Sequence, residues 1–378
     1  MNIILVFTYG YSLKIWKESG TLDRELSIYK NLNKRYKCNF IFVTYGDESE
    51  LDFDISEYGI SIFPIYKYAT KSKNKIIGYI KSFYFPFLIQ KHVQEFDLIK
   101  QNQLLGSWVS IILKLLSKKP LFLRTGYDMY LFSSLENKNK ITTLLYKFLT
   151  KTTLYFSDIY SVSSNRDFKF ISSLNKNSND IKIRPNWIIE NNIQLINLER
   201  RYNNRILSVG RLEKQKNYEF LIKAFKDTNI TIDLVGAGSL KNRLESISKQ
   251  NKVKLNIIEP LENSEILNLM NKYKFFVTSS SFEGNPKTVL EAMSLGCIIF
   301  ASKIDSHSEL IVENVNGFLF DLNDPKNLIK QFQLNFENNN LLSSISKKSI
   351  DTVNKNFSLN KAVESEYLDY LSLRTESK

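Results

Sequence analysis

The stretch SFEGNPKTVLEAMSLG, residues 281–296, decides the fold of this chain. Apolar runs lie immediately before and after it. Asn285 is a favourable N-cap, Pro286 suits the first helical position, and Gly296 suits the position just past a helix end. The pattern therefore predicts a strand, a short loop, a helix and a second strand.

Two carboxylates mark this stretch, Glu283 in the predicted loop and Glu291 one to two turns into the predicted helix. Helical side chains lean toward the N-terminus, so both carboxylates can face one spot above the start of the helix. Free N–H groups and the helix dipole make that spot attractive to phosphate. Carboxylates that accept hydrogen bonds from hydroxyl groups, placed beside a phosphate site, indicate a nucleotide-sugar ligand.

Length and composition predict two globular domains in a reducing compartment. The chain has 378 residues, 43% hydrophobic content and only 13 Gly and 7 Pro, which suits two packed cores. Cys38 and Cys297 lie far apart in apolar runs and indicate buried free thiols. With two histidines, a histidine-rich metal site is excluded. The first residues are typical of a strand rather than a signal peptide, and the apolar run 104–116 is too short to span a bilayer, so a cytoplasmic protein is expected.

The net charge of +13 narrows the range of partners. Such a balance suits nucleic acid or an anionic membrane surface. The basic residues are scattered and form no RNA-binding signature, so no nucleic-acid partner is expected. Compositional bias toward lysine and asparagine is a further explanation of the same charge.

One segment, residues 71–92, gives the membrane alternative a specific location. It combines lysines with a dense apolar cluster, whose aromatic members are Tyr79, Phe83, Tyr84, Phe85 and Phe87. Apolar rings beside lysines are what a peripheral element at an anionic membrane surface needs. The other interpretation of this pattern is a buried helix of the first domain, kinked at Pro86.

The order of apolar runs and helical segments predicts the domain organisation. Strand-like runs alternate with helical segments, and the series restarts after a polar stretch, which indicates two mostly parallel, doubly wound sheets. The predicted strands are 3–8, 40–44, 60–65, 98–100, 121–124 and 159–162, then 206–209, 230–235, 253–257, 275–278, 298–301 and, at an edge, 318–320. The expected divisions are an N-terminal domain at 1–187, a hinge at 188–204, a C-terminal domain at 205–355 and a helical segment at 356–378.

The motifs within residues 205–320 resemble the retaining GT-B glycosyltransferases of family 4. The hallmark of that family is a pair of glutamates with seven residues between them, as in Glu283 and Glu291. Upstream, SVGRLEKQKN at 208–217 is similar to its donor loop, and SELI at 308–311 and NGFL at 316–319 match its downstream pattern. The resemblance implies two Rossmann-like domains that face each other across a cleft, with the last helix crossing back to the first domain.

The same resemblance implies an activity. Members move a sugar from a nucleoside-diphosphate-sugar to an acceptor hydroxyl with retention of configuration, by same-face attack assisted by the departing phosphate. The opening residues hint at the branch that builds bacterial surface polysaccharides and glycoconjugates. We expect no further cofactor and no metal requirement.

The resemblance assigns the donor site to the second domain. Arg211 and Lys216 would hold the diphosphate and offset charge on the leaving nucleotide, because arginine and lysine both bind phosphate oxygens. Glu291 would bind the ribose hydroxyls, and Glu283 the transferred sugar. Lys214 is equally basic but lies outside the family pattern. The other donor-binding candidates are loop and turn positions: Gly20, Gly210, Gly236, Gly238, Ile258, Leu261, Gly284, Asn285, Pro286, Lys287 and Thr288.

Two departures from the family pattern matter. The family usually has an aromatic residue and a glycine where Asn285 and Pro286 stand, which leaves the identity of the sugar open. In the first domain, Lys100 and Asn102 stand where many relatives carry two histidines, so a histidine base is absent there.

The turn RTGYD at 124–128 supplies the candidates of the first domain. It follows a predicted strand at a place where relatives carry functional residues. Asp128 is therefore a candidate catalytic residue, and Asn102, Arg124 and Tyr127 are candidates on the acceptor side. The implied acceptor is a glycan or a lipid-linked saccharide. For each residue the alternative is a structural role in the turn.

Three other functions stay open at this point. A metal-dependent GT-A transferase needs Asp-x-Asp, which Asp52 and Asp54 match, although two sheets oppose that fold. A nucleotide-sugar epimerase shares the architecture but lacks this order of glutamates. A non-catalytic, two-lobe sugar-binding protein would need an export signal.

Overall fold

The computed structural model describes residues 1–93, 95–136, 139–174, 180–189, 193–336 and 338–375. Residues 190–192 of the expected hinge and 376–378 of the expected C-terminal segment lie outside the described residues.

Strands and helices alternate along the described chain. The strands are β1 (Asn2–Val6), β2 (Asn39–Thr44), β3 (Ile60–Pro64), β4 (Leu98–Asn102), β5 (Leu121–Arg124), β6 (Ile159–Val162), β7 (Asp180–Ile183), β8 (Tyr202–Val209), β9 (Thr231–Val235), β10 (Lys254–Ile258), β11 (Tyr273–Thr278), β12 (Ile298–Ser302) and β13 (Phe318–Phe320). The helices are α1 (Leu13–Glu18), α2 (Leu22–Tyr36), α3 (Ile65–Tyr68), α4 (Lys75–Ser82), α5 (Phe85–His92), α6 (Ser107–Ser117), α7 (Met129–Leu135), α8 (Lys140–Phe156), α9 (Asn165–Leu174), α10 (Tyr218–Ala224), α11 (Lys241–Gln250), α12 (Asn263–Met270), α13 (Lys287–Ser294), α14 (Asp305–Ser308), α15 (Pro325–Asn335), α16 (Asn339–Asn356) and α17 (Leu359–Thr375).

The chain divides into two compact units, and the first comprises Met1–Pro185 together with helix α17. Its strands follow the order β3-β2-β1-β4-β5-β6-β7, and every pair is parallel. Parallel neighbours need a crossover connection, which helices supply here. The apolar runs predict β1 to β6 but miss β7, because only two of its four residues are apolar and none is fully buried.

The second unit, Asn186–Ser358, contains the sheet β10-β9-β8-β11-β12-β13, also parallel throughout. The predicted strand at 318–320 is confirmed as the edge strand β13. Alternate side chains of β11 pack on opposite faces of this sheet, Phe275 in one apolar cluster and Phe276 in the other. The strand order reverses between β8 and β11, and open α/β sheets bind ligands outside the carboxyl ends of strands at such a switch point.

Residues 193–204, part of the expected hinge, pack on the second unit. Arg201 is buried and donates to the carbonyl oxygens of Ile196 at 2.9 Å and Leu295 at 2.8 Å. Leu198 packs against the cluster around Phe275. The buried guanidinium therefore ties this segment to the sheet.

Helix α17 is attached to the first sheet by ionic contacts. The Lys100 ammonium on β4 pairs with the Glu366 carboxylate, and both side chains are 1% exposed. The Arg184 guanidinium makes a bidentate ion pair with the Asp369 carboxylate, in which Nε and Nη2 donate to the two oxygens at 2.7 Å and 2.6 Å. The C-terminal helix thereby belongs to the core of the first unit, although β8 to α16 separate it from that unit in sequence.

Candidate active site

The residues predicted to hold a donor diphosphate lie at the switch point of the second sheet. Arg211 and Lys216 are in the loop that follows β8, and Glu283 is in the loop that follows β11. The two strands are neighbours, so both loops leave the same edge of the sheet. Residues that are distant in sequence are brought together at the position where α/β proteins bind ligands.

The centre of this site is an ion pair that the sequence did not predict. The Lys216 ammonium lies 2.5 Å from a Glu283 carboxylate oxygen, and their side chains are only 15% and 11% exposed. The Ser280 hydroxyl donates to the same oxygen at 2.7 Å, and the Gln215 amide donates to the other at 3.3 Å. Sequence analysis assigned Lys216 to phosphate and Glu283 to sugar hydroxyls, whereas the structure places the two groups in direct contact.

Gln215, which sequence analysis overlooked, connects the rest of the site to this pair. Its side-chain oxygen accepts from Arg211 at 3.4 Å, while its nitrogen donates to the Phe282 carbonyl at 2.9 Å. Arg211 and Lys214 are both exposed. A polar residue in a polar loop carries no pattern that would single it out, so nothing in the sequence distinguished Gln215.

Three of the predicted glycines are required by close backbone packing. A Cβ on Gly210 would lie 2.8 Å from the Lys216 Cε atom, and one on Gly236 only 2.1 Å from the Gly210 carbonyl oxygen. A Cβ on Gly238 would meet the Leu212 carbonyl oxygen at 2.5 Å. These glycines let the loops after β8 and β9 touch and hold the Lys216 stem against the backbone. A direct contact of Gly210, Gly236 or Gly238 with a donor stays a prediction.

The start of helix α13 differs from the prediction. The helix begins at Lys287, and its N-cap is Pro286 rather than Asn285. The Asn285 side chain instead accepts from the Asn186 backbone N–H at 3.1 Å, and its carbonyl accepts from the Asn186 amide at 2.6 Å. These bonds leave the Asn285 side chain no part in capping. The predicted end is confirmed, since Gly296 follows with φ of 69°.

The residues near the start of α13 have distinct environments. Gly284 is buried, whereas Lys287 and Thr288 are half-buried. The Lys287 ammonium lies 5.5 Å from the centre of the Trp187 ring, within the range of a cation–π contact. This contact orients Lys287 beside the loop that contains Glu283.

Glu291 is held in place by a residue that sequence analysis missed. It lies in the second turn of α13 and is 6% exposed. The side-chain amide of Asn263, the first residue of α12, donates to it at 2.9 Å. Two further candidates, Ile258 at the end of β10 and Leu261 in the loop after it, are half-buried and pack against the apolar cluster around Phe276.

The first unit gives Asp128, the candidate catalytic residue, a structural environment. This residue is fully buried and caps helix α7, accepting from the Leu131 N–H at 2.8 Å and from the Thr150 hydroxyl at 3.0 Å. Burial raises the pKa of its carboxyl. These contacts make Asp128 a helix cap, and a catalytic role for it stays a prediction.

Two of the three acceptor-side candidates are also occupied structurally. Arg124 donates to the Pro185 carbonyl at 3.2 Å and lies 3.9 Å from the Glu366 carboxylate. The Asn102 amide donates to the Tyr29 hydroxyl at 2.9 Å. Both therefore face the contacts that hold α17, and a role for either in acceptor binding stays a prediction. Tyr127 is exposed and remains a candidate.

Gly20 is a donor-binding candidate whose contact with a donor stays a prediction. It lies between α1 and α2, with φ of 65°, and its N–H donates to the Lys17 carbonyl at 3.0 Å. Here glycine ends a helix, because a left-handed backbone disfavours a Cβ.

A cavity of about 720 Å³ lies at the carboxyl ends of β1, β2 and β3. Tyr45, Glu50 and Tyr66 are in its lining. One Glu50 oxygen accepts from the Lys14 N–H at 3.0 Å. No sequence motif indicated this cavity, because its lining comes from three separate segments of the chain, after β1, β2 and β3.

The described residues bear on metal binding and on membrane insertion. No group of three or more His, Cys, Asp and Glu side chains in that part of the chain is placed to hold a metal ion. None of the described helices combines the length and apolar content needed to cross a membrane. His307, which is buried and follows β12, donates through its Nδ1–H to the Ser302 carbonyl oxygen at 2.8 Å, and burial lowers its pKa to about 4.

Comparisons with known proteins identify the family. Residues 191–352 match the family model described as glycosyl transferases group 1. An uncharacterized glycosyltransferase of Methanocaldococcus jannaschii is 30% identical over 315 residues, which cover 75% of this chain and 73% of that protein. An Escherichia coli UDP-Gal:alpha-D-GlcNAc-diphosphoundecaprenol alpha-1,3-galactosyltransferase is 29% identical over 41% of this chain and 42% of its own length.

A solved structure matches both units. Anabaena Alr3699/HepE, crystallised in complex with UDP and glucose, has a TM-score of 0.74 at 14% identity and covers 98% of this chain and 100% of its own. At that identity the likeness establishes the fold, which is two Rossmann-like domains of the GT-B class. The chain belongs to the glycosyl transferases group 1 family, and it is a glycosyltransferase.

Proposed function

We propose that this protein is a retaining glycosyltransferase of family 4, which moves a sugar from a nucleoside-diphosphate-sugar to an acceptor hydroxyl. The observation that carries the proposal is the Lys216–Glu283 pair at the switch point of the second sheet, with Arg211 in the same loop as Lys216. One end of the bond that breaks belongs to the anionic diphosphate, which the Lys216 cation can bind. The other end belongs to the sugar, whose hydroxyl groups the Glu283 carboxylate can bind.

The pair can bind a donor without separating. An ammonium group has three N–H donors, so Lys216 can keep Glu283 and still donate to a phosphate oxygen. The second Glu283 oxygen accepts a long bond from Gln215, at 3.3 Å, and a carboxylate oxygen that accepts one such bond keeps capacity for a sugar hydroxyl. Glu283 would thus orient the sugar and Lys216 together.

The proposed reaction needs no protein nucleophile. The acceptor oxygen bonds to the anomeric carbon on the face from which the phosphate departs, and the bond from that carbon to the phosphate oxygen breaks. The departing phosphate takes the acceptor proton. Arg211, Lys216 and the N–H groups at the start of α13 would stabilise the negative charge that develops on it, in positions fixed before reaction.

A donor screen tests the proposed activity. Binding stabilises the folded state by mass action, so the correct donor should raise the melting temperature more than its free nucleotide alone. UDP-sugars are the first choice, because the E. coli relative is named for UDP-Gal and the Anabaena structure holds UDP and glucose. Release of nucleoside diphosphate on adding an acceptor then measures transfer, and its absence with every donor would contradict the proposal.

Glu291→Ala is expected to weaken the binding of free nucleotide. The ribose hydroxyls would lose a charged acceptor, a change of about 1.5–3 kcal/mol. Titration calorimetry with UDP measures the change, and Glu313→Ala, at a carboxylate outside the proposed site, is the matched control. Unchanged affinity in a folded Glu291→Ala protein would exclude the ribose role.

Transfer is expected to survive chelation. Two cations and a helix N-terminus can supply the charge stabilisation that a divalent ion provides in GT-A enzymes. The rate of nucleotide release, measured with and without EDTA, checks this. A complete loss that added metal restores would instead point to Asp52 and Asp54.

For the acceptor we propose a glycan or lipid-linked saccharide bound by the first unit. The E. coli relative is named for a saccharide on diphosphoundecaprenol. Tyr127 and the cavity at β1 to β3 are the accessible features there. The epimerase and the non-catalytic binding protein have no observation in their favour now that the family is known.

The segment 71–92 supports a cytoplasmic enzyme that contacts an anionic membrane surface. It forms α4 and α5, and Ile76 and Ile80 on α4 and Phe83 just after it are strongly exposed. Helix α5 instead buries Phe85, Leu88 and Ile89, so the interpretation of a buried helix fits α5 but not α4. No Asp or Glu occurs between residues 58 and 94, so the lysines there are not offset along the segment.

Changing Lys71, Lys73 and Lys75 to Glu is expected to reduce binding to anionic vesicles, because each lysine near such a surface adds about 1 kcal/mol. Co-sedimentation with phosphatidylglycerol-containing and with neutral vesicles measures it. Equal recovery in the supernatant with both lipids, before any substitution, would contradict the membrane proposal for this segment.

A further inference from the structure

Helix α8 presents apolar side chains to solvent along most of its length. Its exposed members lie on one helical face, at spacings of three, four, seven and fourteen residues from Ile141. These five residues, which form the apolar stripe of α8, are between 62% and 69% exposed: Ile141, Leu144, Leu145, Phe148 and Tyr155. A surface helix normally turns its charged and polar face outward. Here the outward face is apolar, which indicates that a further apolar surface covers it.

The face of α8 that packs on the protein is partly polar. Thr150, Thr153 and Leu154 are the buried residues of this helix. The Thr153 and Ser107 hydroxyls are 2.7 Å apart, and Thr150 donates to Asp128. Hydroxyl contacts and the buried Leu154 thus fix α8 to the first unit, on the side of the helix opposite the five exposed residues.

The charge beside the stripe determines what can cover it. Lys140, Lys147 and Lys151 fall on one flank of the helix, and no Asp or Glu occurs between residues 137 and 157. In a symmetric dimer the same patch meets itself, so this face would bring lysines close to lysines. An anionic surface with an apolar interior satisfies both the stripe and the lysines.

The stripe is also linked to the segment 71–92. Helix α6 contacts α8 through Ser107, and the next residue, Trp108, donates to the Ser82 hydroxyl of α4 at 2.8 Å. The Trp108 ring stacks with Phe83 at 6.1 Å. Helix α6 therefore contacts both α8 and α4.

We propose that α8 is a second membrane-contact element, which inserts Ile141, Leu144, Leu145 and Phe148 at the level of the lipid headgroups while its lysines contact anionic lipid. This deepens the membrane contact proposed above and rests on it. It does not depend on the donor or the acceptor, so it can be tested without either.

The test is co-sedimentation of the full chain with vesicles of phosphatidylcholine, with or without phosphatidylglycerol. Leu144→Ser with Phe148→Ser, and separately Lys147→Glu with Lys151→Glu, should each lower partition onto anionic vesicles by roughly tenfold or more. The matched controls are Leu334→Ser and Lys326→Glu with Lys330→Glu on α15, whose exposed side chains belong to the other unit; they should leave partition unchanged.

A second measurement does not depend on loss of binding. Tryptophan placed at position 148 by Phe148→Trp should shift its emission to the blue on anionic vesicles and be quenched by brominated lipid, whereas Leu334→Trp should not. Three results would overturn the proposal. The wild-type protein could fail to bind vesicles, or only the Lys71, Lys73 and Lys75 changes could reduce binding. Alternatively, sedimentation velocity could show a dimer that Leu144→Ser with Phe148→Ser dissociates while vesicle binding persists.

Discussion

Replacing Lys216 by alanine is expected to lower the rate of sugar transfer by roughly 10²–10³, the usual effect of removing one preorganised stabiliser of transition-state charge. Two effects contribute. The departing diphosphate loses a cation, and the Glu283 carboxylate loses the ammonium group that lies 2.5 Å from it. Nucleotide release under saturating donor and acceptor measures the change, and Lys216→Arg should restore part of the rate because it restores the charge.

Lys214→Ala is the matched control for this prediction. Lys214 lies two residues away in the same loop and is exposed, whereas Lys216 is held against Gly210 and Glu283. Lys214→Ala should therefore leave the rate close to wild type. Equal damage from the two substitutions would show that charge in the loop as a whole, and not the position of Lys216, serves the reaction.

The fold was largely predictable because the buried strands of a parallel sheet appear in the sequence as short apolar runs between helical segments. Twelve predicted runs correspond to strands, and the two sheets follow from the restart of the series. Strand β7 was not predicted because Asp180 and Lys182 alternate with its two isoleucines at the edge of the sheet. An edge strand needs only one apolar face, and four residues are too few to show that alternation.

The motifs predicted which loops contain the site residues, but not which of those residues touch each other. The motifs place Arg211, Lys216 and Glu283 after strands, but the contact between Lys216 and Glu283 spans 67 positions in sequence. It exists because the strand order reverses at β8 and β11, which no local pattern encodes. Gln215, Ser280 and Asn263 complete the site as ordinary polar loop or helix-start residues.

The contacts of the first-unit candidates have the same origin. Arg124 ends β5 and Asp128 follows it, which is where functional residues are expected, but their partners come from elsewhere in the chain. Thr150 on α8 and Glu366 on α17 give these side chains structural contacts that the sequence does not reveal. A residue at the correct edge of a sheet is thus a candidate only until its distant neighbours are known.

The second large effect concerns stability rather than rate. Lys100→Met is expected to lower the free energy of unfolding of the first unit by about 3–5 kcal/mol, because removing one partner of a buried pair strands the other charge. The Lys100 ammonium lies 4.8 Å from the Tyr29 ring centre, within the same buried cluster. Burial alone would raise the pKa of Glu366, but the charges of Lys100 and Arg124 lower it, so the carboxylate is ionised at neutral pH.

Chemical denaturation followed by circular dichroism measures this change, and Lys241→Met is its control, since Lys241 pairs with Glu259 on the exposed surface of the other unit. That substitution should hardly move the transition. Adding Glu366→Gln to Lys100→Met should recover much of the loss, because no charge is then left buried without a partner. If Lys100→Met alone proves harmless, the carboxylate is being satisfied by other donors, with Tyr370 and Arg124 the nearest, and the pair would not be what fixes α17 to the first sheet.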